Sequence, residues 1–147
     1  MILNACEGKS LPIYGDGSNI RDWLHVEDHC TGILSVLNKG KVGNTYCIGG
    51  ASEKTNMEVI DTLCEILDCK FPDRVPHNQL KTFVTDRPGH DHRYAIDFSK
   101  IHNELGWSPS YSFREGMEQT VGWYLNHQEW CENVTSCKYQ RERLGTS

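Results

Sequence analysis

Apolar residues occur only in short runs along this chain, and this limits the kind of sheet that it can form. The strand-like stretches are SLPIYG, RDWLHV, GNTYCIGG, KTFVT and RYAID. A large parallel sheet is buried on both faces and needs longer, near-continuous apolar strands. Helical patterns alternate with the short strands, and 147 residues suffice for one domain with a modest core. The sequence therefore predicts an α/β chain of short strands and helices, similar to the smaller lobe of a larger unit.

Two capping boxes mark the starts of predicted helices. In such a box, each of two side chains three residues apart satisfies the other residue's backbone amide. Thr55 and Glu58 form the first box, and the helix after it carries an apolar stripe of Val59, Ile60, Leu63 and Leu67. Ser112 and Glu115 form the second box, which opens a helix predicted to reach about Trp130.

Two further helices follow from apolar spacing. The first is predicted over residues 27–39, with Ile33, Leu34 and Leu37 on one face. The second covers FSKIHNELGW and is predicted to end at Gly106, because glycine favours the conformation that terminates a helix. No repeats and no low-complexity segments interrupt the pattern, so we expect residues 1–147 to form one region without a separate second domain.

The chain lacks the common catalytic and cofactor motifs. A dinucleotide fingerprint needs glycines between a strand and a helix. The nearest candidate, Gly40 with Gly43 in GKVGNTY, has Tyr46 in place of the third glycine and precedes a strand. No Tyr is followed four residues later by Lys, and neither a phosphate-binding loop nor a G-x-S-x-G motif is present. We therefore predict no catalytic residue and no cofactor-binding residue in this chain.

Charge and cysteine content exclude several other classes. The formal net charge of −5 argues against non-specific nucleic-acid binding, which needs a basic face. No apolar run is long enough to span a membrane, and the start of the chain does not have the pattern of a signal peptide. The seven cysteines form no C-x-x-C pair, which favours free thiols in a reducing compartment. We therefore expect a cytoplasmic protein without a membrane or nucleic-acid partner.

Three polar clusters remain as candidate binding residues. Arg21 follows a glycine turn, and its planar fork of donors suits a phosphate, although a surface ion pair would also explain it. Asn56 lies in the first turn of a capped helix and either contacts a ligand or simply begins that helix. In TDRPGHDHRYAID, a Pro-Gly turn brings Arg87 and His90 together among Asp86 and Asp91. This stretch is either a phosphate grip or a salt-bridged loop.

A metal site is the alternative use of the histidines. His25 and His29 are four residues apart, which suits chelation only if both lie on one helix, but the helix is predicted to start between them. His90 and His92 are two residues apart. Packed or surface histidines explain the same pattern, so no metal ligand is assigned.

Four blocks of the chain, in order, resemble the C-terminal part of dTDP-glucose 4,6-dehydratases, which belong to the extended short-chain dehydrogenase/reductase group. They are LPIYGDGSNIRDWLHVEDHC, GNTYCIGGASEKTN, DRPGHDHRYAID and ELGWSPSYSFREGMEQTVGWYL. The most specific pieces are RDWL followed by VEDH, and DRPGHD followed by RYAID. The resemblance implies the sugar-nucleotide-binding lobe of such an enzyme, with the N-terminal Rossmann domain mostly absent.

The resemblance also implies an activity for the full-length family. Tightly bound NAD takes a hydride from C4 of the sugar, water leaves across C5 and C6, and the hydride returns at C6. The product is a 4-keto-6-deoxy sugar nucleotide, an early intermediate of deoxysugars such as rhamnose. NAD and the catalytic residues belong to the absent half, so the chain alone is expected to bind no cofactor and to be inactive. The expected partners are dTDP-glucose, the missing Rossmann domain and, for the full-length family, a second identical subunit.

The same resemblance assigns ligand contacts by position. Arg21 matches an arginine that reaches the diphosphate, and Arg87 and His90 match a pair near the diphosphate and nucleoside. Asn56 matches a polar contact after the double glycine. The remaining matches are Pro12, Ile13 and Tyr14 in a strand beside the nucleotide, and Tyr139 near the end. In this interpretation the neighbouring aspartates hold the arginines of the turn in place.

Three hypotheses follow from these residues. The chain is a truncated piece of such a dehydratase that has lost its chemistry, a stand-alone nucleotide-sugar-binding module complemented by a separate chain, or a metal-binding or structural domain. A related NAD-dependent nucleotide-sugar epimerase or dehydratase is the nearest variant of the first hypothesis. If this lobe normally packs on a Rossmann domain, its isolation should expose apolar surface.

Overall fold

The structure, a computed structural model, describes residues 1–137. Its helices are α1 Ile2–Cys6, α2 Val26–Lys39, α3 Asn56–Lys70, α4 Ser99–Leu105, α5 Phe113–Asn126 and α6 Gln128–Cys137. Its strands are β1 Leu11–Tyr14, β2 Ile20–Asp22, β3 Glu53–Thr55, β4 Lys81–Val84 and β5 Arg93–Tyr94, and a short 3-10 helix covers His77–Leu80. The predicted α/β chain of short strands is therefore confirmed.

The strands form two small sheets. In the first, β1 pairs with β4 in parallel, and Tyr14 lies opposite Val84 at the carboxyl ends of the two strands. In the second, the central strand β2 pairs with β3 antiparallel and with β5 in parallel. The two parallel pairs decide where the loops meet, because parallel strands place the segments that follow them at the same edge of a sheet.

The main core packs α3 against the first sheet and α5. Along β1 the side chains alternate, so that Leu11 and Ile13 point inward while Pro12 and Tyr14 are half-buried. The buried side chains of this core are Ala5, Leu11, Ile13, Ile60, Leu63, Cys64, Ile66, Leu67 and Val121. The predicted α3 stripe is thus confirmed as core, and burial of each large aliphatic side chain contributes about 1.5–3 kcal/mol.

A second, smaller core lies under α2 and α4. Ile101, Leu105 and Trp107 are buried there. Gly32 of α2 allows this contact, because a Cβ at that position would come within 2.9 Å of Ile48 and 3.3 Å of Trp107. This core is therefore set by the close approach of α2 to the extended segment that contains Ile48.

The helix starts and stops predicted from local residues are found in the structure. Both capping boxes are formed in full: Thr55 accepts from the amide of Glu58, and Ser112 accepts from the amide of Glu115. The helix α4 ends at Gly106, whose φ of 71° is left-handed. Local hydrogen-bonding logic thus predicts these boundaries correctly.

Two secondary-structure predictions are wrong. The stretch GNTYCIGG runs extended past Tyr46 and Ile48, but no strand pairs with it among residues 1–137. The helix predicted to reach Trp130 ends at Asn126, and α6 starts after His127. The His127 ring stacks on Trp123 at 4.4 Å, and its Nδ1 donates to the Trp123 carbonyl at 2.7 Å, so a side chain competes with the helical backbone at this carbonyl.

The apolar stripe of α2 faces outward. Val26, Ile33, Leu34 and Leu37 are 65%, 49%, 54% and 77% exposed. Their spacing places them on one side of the helix. A stripe of this kind is typical of a surface that another protein element covers. No helix in residues 1–137 is long and apolar enough to cross a membrane.

Candidate functional site

The candidate site lies where two turns meet at the edge of the first sheet. The residues that follow β1 and β4 are adjacent, and the amide of Gly15 donates to the carbonyl of Val84 at 2.9 Å. Gly15 has a φ of 58°, and a Cβ there would lie 3.3 Å from a carboxylate oxygen of Asp86. Glycine therefore serves two needs at this position, a left-handed backbone and the close approach of the second turn.

The second turn comprises residues 86–92, and we call it the arginine turn. It reverses at Pro88 and Gly89, where the amide of His90 donates to the carbonyl of Arg87 at 3.2 Å and Gly89 has a φ of 67°. The Pro-Gly turn predicted from the sequence is therefore present. It places Arg87 and His90 on one short loop between β4 and β5.

Arg21 ties this loop to the second sheet. Its Nη1 donates to the carbonyls of Ile20 at 2.6 Å and His92 at 3.4 Å, and its Nη2 donates to the carbonyl of Asp91 at 2.9 Å. The guanidinium carbon also lies 4.8 Å from the centre of the Tyr94 ring. No carboxylate pairs with Arg21 among the described residues, so the surface ion pair considered for it is not formed there. The Nη groups are instead engaged by the Ile20 carbonyl of β2 and by groups of the arginine turn.

His90 is held at both ring nitrogens. Its Nδ1 lies 2.7 Å from Oδ1 of Asp86, and its Nε2 lies 3.0 Å from Nη2 of Arg21. Its side chain is only 8% exposed. The hydrogen bond from His90 lowers the pKa of Asp86, and the backbone amide and charge of Arg87 act in the same direction, so this carboxylate is ionised at neutral pH.

Arg87 is the exposed cation of the arginine turn. Its guanidinium carbon lies 5.5 Å from the centre of the Tyr14 ring, and neither Asp86 nor Asp91 pairs with it within residues 1–137. The aspartates were expected to hold the arginines in place, but within residues 1–137 neither does so by a direct ion pair with a guanidinium. Asp86 instead accepts from His90 and from the Arg87 backbone amide at 2.8 Å, and the carboxylate of Asp91 accepts from the Tyr94 hydroxyl.

The remaining predicted contacts fall into three groups. Asn56 is close to the site, because its backbone amide donates to the carbonyl of Asn19 at 2.9 Å. The side-chain amide of Asn19 in turn donates to the Asp91 carbonyl at 3.4 Å. Ile13 is 1% exposed and belongs to the core, whereas Pro12 is half-buried beside Tyr14. Tyr139 lies outside the described residues.

The motif RDWL…VEDH contains two aspartate anchors, a half-buried Asp22 and a buried Asp28, that the sequence alone did not reveal. Asp22 accepts from the amides of Gly50 at 2.7 Å and Ser52 at 2.8 Å. Asp28, which is 2% exposed, accepts from the amides of Ser110 at 2.9 Å and Tyr111 at 3.0 Å. Each aspartate fixes a distant loop, so the motif serves the architecture that carries Arg21.

The histidine pairs do not form a metal centre in the part of the chain that is described. His25 precedes the first residue of α2 and packs against Tyr111, with ring centres 4.3 Å apart and ring planes tilted by 51°. Both nitrogens of His90 are already engaged. Residues 1–137 contain no group of three or more His, Cys, Asp or Glu side chains arranged to hold an ion.

The glycines present do not fit a dinucleotide. Gly40 and Gly43 follow the end of α2, and no helix begins directly after them. The pyrophosphate of NAD is held at such a terminus in the dinucleotide-binding fold. Gly40 and Gly43 therefore do not provide a site for the pyrophosphate of NAD.

A cleft with a volume of about 840 Å³ lies between the start of α2 and the helices α5 and α6, and no residue of the arginine turn lines it. Its lining includes the aromatic side chains of Trp23, Phe113, Trp123 and Trp130. None of the predicted ligand-binding residues within residues 1–137 lines it. The predicted contacts therefore gather on an open edge of the fold and not in this cleft.

The chain is similar in sequence and in structure to several known proteins. A dTDP-glucose 4,6-dehydratase of Xanthomonas campestris pv. campestris is 50% identical over the whole chain, which spans 42% of that protein. The solved dTDP-glucose 4,6-dehydratase of Bacillus anthracis, in complex with NAD, is 49% identical, with a TM-score of 0.77 over 88% of this chain and 39% of its own. The solved dTDP-glucose 4,6-dehydratase of Streptomyces venezuelae, with NAD and TYD bound, is 42% identical, with a TM-score of 0.78 over 88% and 38%.

The fold and these similarities define the class as extended short-chain dehydrogenases/reductases. The chain spans about two fifths of the length of each of these relatives. The model of the GDP-mannose 4,6 dehydratase family matches residues 1–120, and the chain belongs to that family. The resemblance to dTDP-glucose 4,6-dehydratases inferred from the four sequence blocks is confirmed.

Proposed function

We propose that this chain forms the nucleotide-sugar-binding region of a dTDP-glucose 4,6-dehydratase, with its arginine turn at the diphosphate. The proposal covers residues 1–147 as one region. In the whole enzyme, dTDP-glucose would lose water to give the 4-keto-6-deoxy sugar nucleotide, with NAD supplying hydride transfer from the other part of the protein. The family membership and the similarity to dTDP-glucose 4,6-dehydratases support this assignment.

The observation that carries the proposal is the guanidinium of Arg87, which pairs with no carboxylate within residues 1–137. In a chain with a net charge of −5, a cation at a turn would ordinarily pair with a neighbouring carboxylate. Both nearby aspartates are occupied by other donors, and Arg87 lies against the ring of Tyr14 instead. A planar fork held in this way is suited to bidentate contact with a phosphate.

The edge position supports the same assignment. The carboxyl ends of β1 and β4 lie side by side, and ligands of α/β proteins bind beyond the carboxyl ends of parallel strands. Tyr14 ends β1 and Arg87 follows β4, so a ligand at this edge would meet both. Arg21, His90 and Asn56 lie behind them and remain predicted contacts, with Arg21 and His90 able to reach a ligand only by exchanging present partners.

We also propose the remainder of the enzyme as the partner of this region. The chain spans 42% of the Xanthomonas relative, and the exposed stripe of α2 offers a surface for the rest of such a protein. The extended residues 44–48, which lack a pairing strand within residues 1–137, lie beside the same helix. A homodimer of the whole enzyme is expected from the family resemblance.

Two measurements test the proposed function. Calorimetric titration of dTDP into the purified chain should give weak, saturable binding, and the absence of any heat from a folded sample would contradict the proposal. Incubation with dTDP-glucose and NAD should give no 4-keto product, because hydride transfer needs the cofactor held against C4. Turnover above a protein-free control would show that the chain carries its own chemistry.

The alternative is a nucleotide-sugar-binding module that works with a separate chain. It shares the dTDP site and differs only in its partner. Sequencing upstream of the Met1 codon distinguishes the two, because a continuous reading frame that encodes the glycine-rich loop would favour a single dehydratase chain.

A further inference from the structure

We propose that Asp86 is the positioning residue of the candidate site, because a single oxygen of its carboxylate orients the groups around both arginines. The inference rests on the proposed binding of a diphosphate at the arginine turn. It assigns to Asp86 a role distinct from that of a ligand contact, since its negative charge would repel a phosphate.

Oδ1 of Asp86 has two partners. It accepts from the backbone amide of Arg87 at 2.8 Å and lies 2.7 Å from Nδ1 of His90. The first contact fixes the start of the turn that carries Arg87. The second fixes the His90 ring, whose side chain is 8% exposed.

The second partner of His90 determines where its proton lies. A guanidinium has donors only, so Nε2 must accept from Nη2 of Arg21 across their 3.0 Å contact. The ring proton is therefore on Nδ1 and points at Asp86. Without this acceptor the ring is free to place its proton on Nε2, and that proton would face the Arg21 guanidinium.

The residues around Asp86 leave space for its carboxylate and keep it ionised. Gly15 of the opposite turn leaves room for it, because a Cβ there would lie 3.3 Å from Oδ2. The His90 hydrogen bond lowers the pKa of Asp86, which keeps the carboxylate available as an acceptor at neutral pH. Asp86 thus joins the turn after β1, the backbone of Arg87 and the ring that holds Arg21.

The sign of the effect separates positioning from simple charge. Removal of a negative charge beside a diphosphate site would strengthen binding on Coulombic grounds alone. Loss of a positioning group would weaken it. Asp86→Asn keeps an acceptor at Oδ1 but removes the charge, whereas Asp86→Ala removes both.

The test is a titration of dTDP into wild type, Asp86→Ala and Asp86→Asn, together with nitrogen-15 spectra of the histidine rings. Asp16→Ala is the matched control, since Asp16 accepts only within its own turn, from the Ser18 amide at 2.9 Å. We expect Asp86→Ala to lose about tenfold in affinity, the size of one mispositioned charge-assisted contact. Asp16→Ala should remain near wild type and Asp86→Asn should bind at least as tightly as wild type, and His90 should carry its proton on Nδ1 in wild type and in Asp86→Asn.

Equal or tighter binding by Asp86→Ala would overturn the inference, as would a wild-type His90 protonated on Nε2. If Asp86→Ala does not fold, the wild-type spectrum and the affinity of Asp86→Asn still decide, because a loss of about tenfold in Asp86→Asn, which keeps the acceptor at Oδ1, would overturn the positioning role. A wild-type chain that binds no dTDP would refute the proposed function, while the ring spectra would still report the Asp86 contact.

Discussion

The carboxylate of Asp28 accepts a hydrogen bond from the backbone amide of Tyr111 across 83 residues of sequence, at 3.0 Å. The other oxygen of the same group accepts from Ser110 at 2.9 Å. The group is 2% exposed, so water does not replace these contacts if they are lost. Asp28 therefore connects the start of α2 to the loop that leads into α5.

Replacement of Asp28 by Ala should lower the free energy of unfolding by about 2–5 kcal/mol, because two buried amides lose their acceptor. Asp28→Asn should also destabilise the chain, because the side-chain NH2 of the new asparagine would face one of the two backbone amides and could not accept its hydrogen bond. Urea titration followed by circular dichroism measures the change. Asp73→Ala, at an exposed position, is the control and should change stability little; an equal loss in both variants would contradict the anchor role.

The exposed stripe of α2 should promote self-association of the isolated chain. Leu34→Gln combined with Leu37→Gln removes half of the stripe at positions that are 54% and 77% exposed, and glutamine is nearly as good a helix former as leucine. We expect less light scattering and an unchanged melting temperature. Val42→Gln, at a fully exposed position outside the stripe, should leave the scattering as it is. A wild-type chain that is already monodisperse with a sharp two-state melt would count against a covered surface.

The two capping boxes should make the stability depend on acidic pH. Backbone and side-chain hydrogen bonds from Thr55 lower the pKa of Glu58 from its ordinary 4.5, and hydrogen bonds from Ser112 do the same for Glu115. Below the ordinary glutamate pKa, the unfolded chain binds protons that the folded chain does not. The contribution of the two boxes to the free energy of unfolding is therefore fully present above the ordinary pKa, and it is lost as the pH drops through the lowered pKa values of the folded state. Thermal melts between neutral and acidic pH measure the fall.

The matched variant for this dependence is Glu58→Gln combined with Glu115→Gln. Glutamine can reach the same backbone amide but does not titrate in this range. The double variant should show a flatter pH dependence than wild type below the ordinary glutamate pKa. Identical curves would mean that other carboxylates dominate the acid transition.

The parts of the fold that depend on contacts between sequence neighbours are predictable, and those that depend on distant residues are not. The capping boxes at Thr55 and Ser112 and the stop at Gly106 depend on neighbours within one turn, and the sequence alone predicts them. The stretch GNTYCIGG has strand-like residues but no partner strand within residues 1–137, and periodicity cannot reveal a missing partner. The end of α5 depends on the His127 ring, whose contact with the Trp123 carbonyl no helix propensity describes.

The candidate site shows the same division. The Pro-Gly reversal near Arg87 is local and was predicted. The contact of His90 with Arg21 joins residues 69 positions apart and was not predicted, nor was the assignment of Asp86 to His90 instead of to an arginine. Charge alternation along DRPGHDH favours ion pairs within the loop, whereas the fold gives each aspartate a different donor and leaves Arg87 against Tyr14.

The central claim is that Arg87 binds the diphosphate of a nucleotide sugar, and calorimetric titration of dTDP into wild type, Arg87→Ala and Arg87→Lys tests it most directly. Arg114→Ala is the control, because Arg114 pairs with Glu65 at 3.0 Å on another surface. We predict that Arg87→Ala loses about 1.5–3 kcal/mol of binding free energy, about tenfold or more in affinity. Arg87→Lys should recover part of it, since a point charge does not reproduce the planar fork. Arg114→Ala should bind as wild type does. Equal affinities of wild type and Arg87→Ala for dTDP would contradict the account.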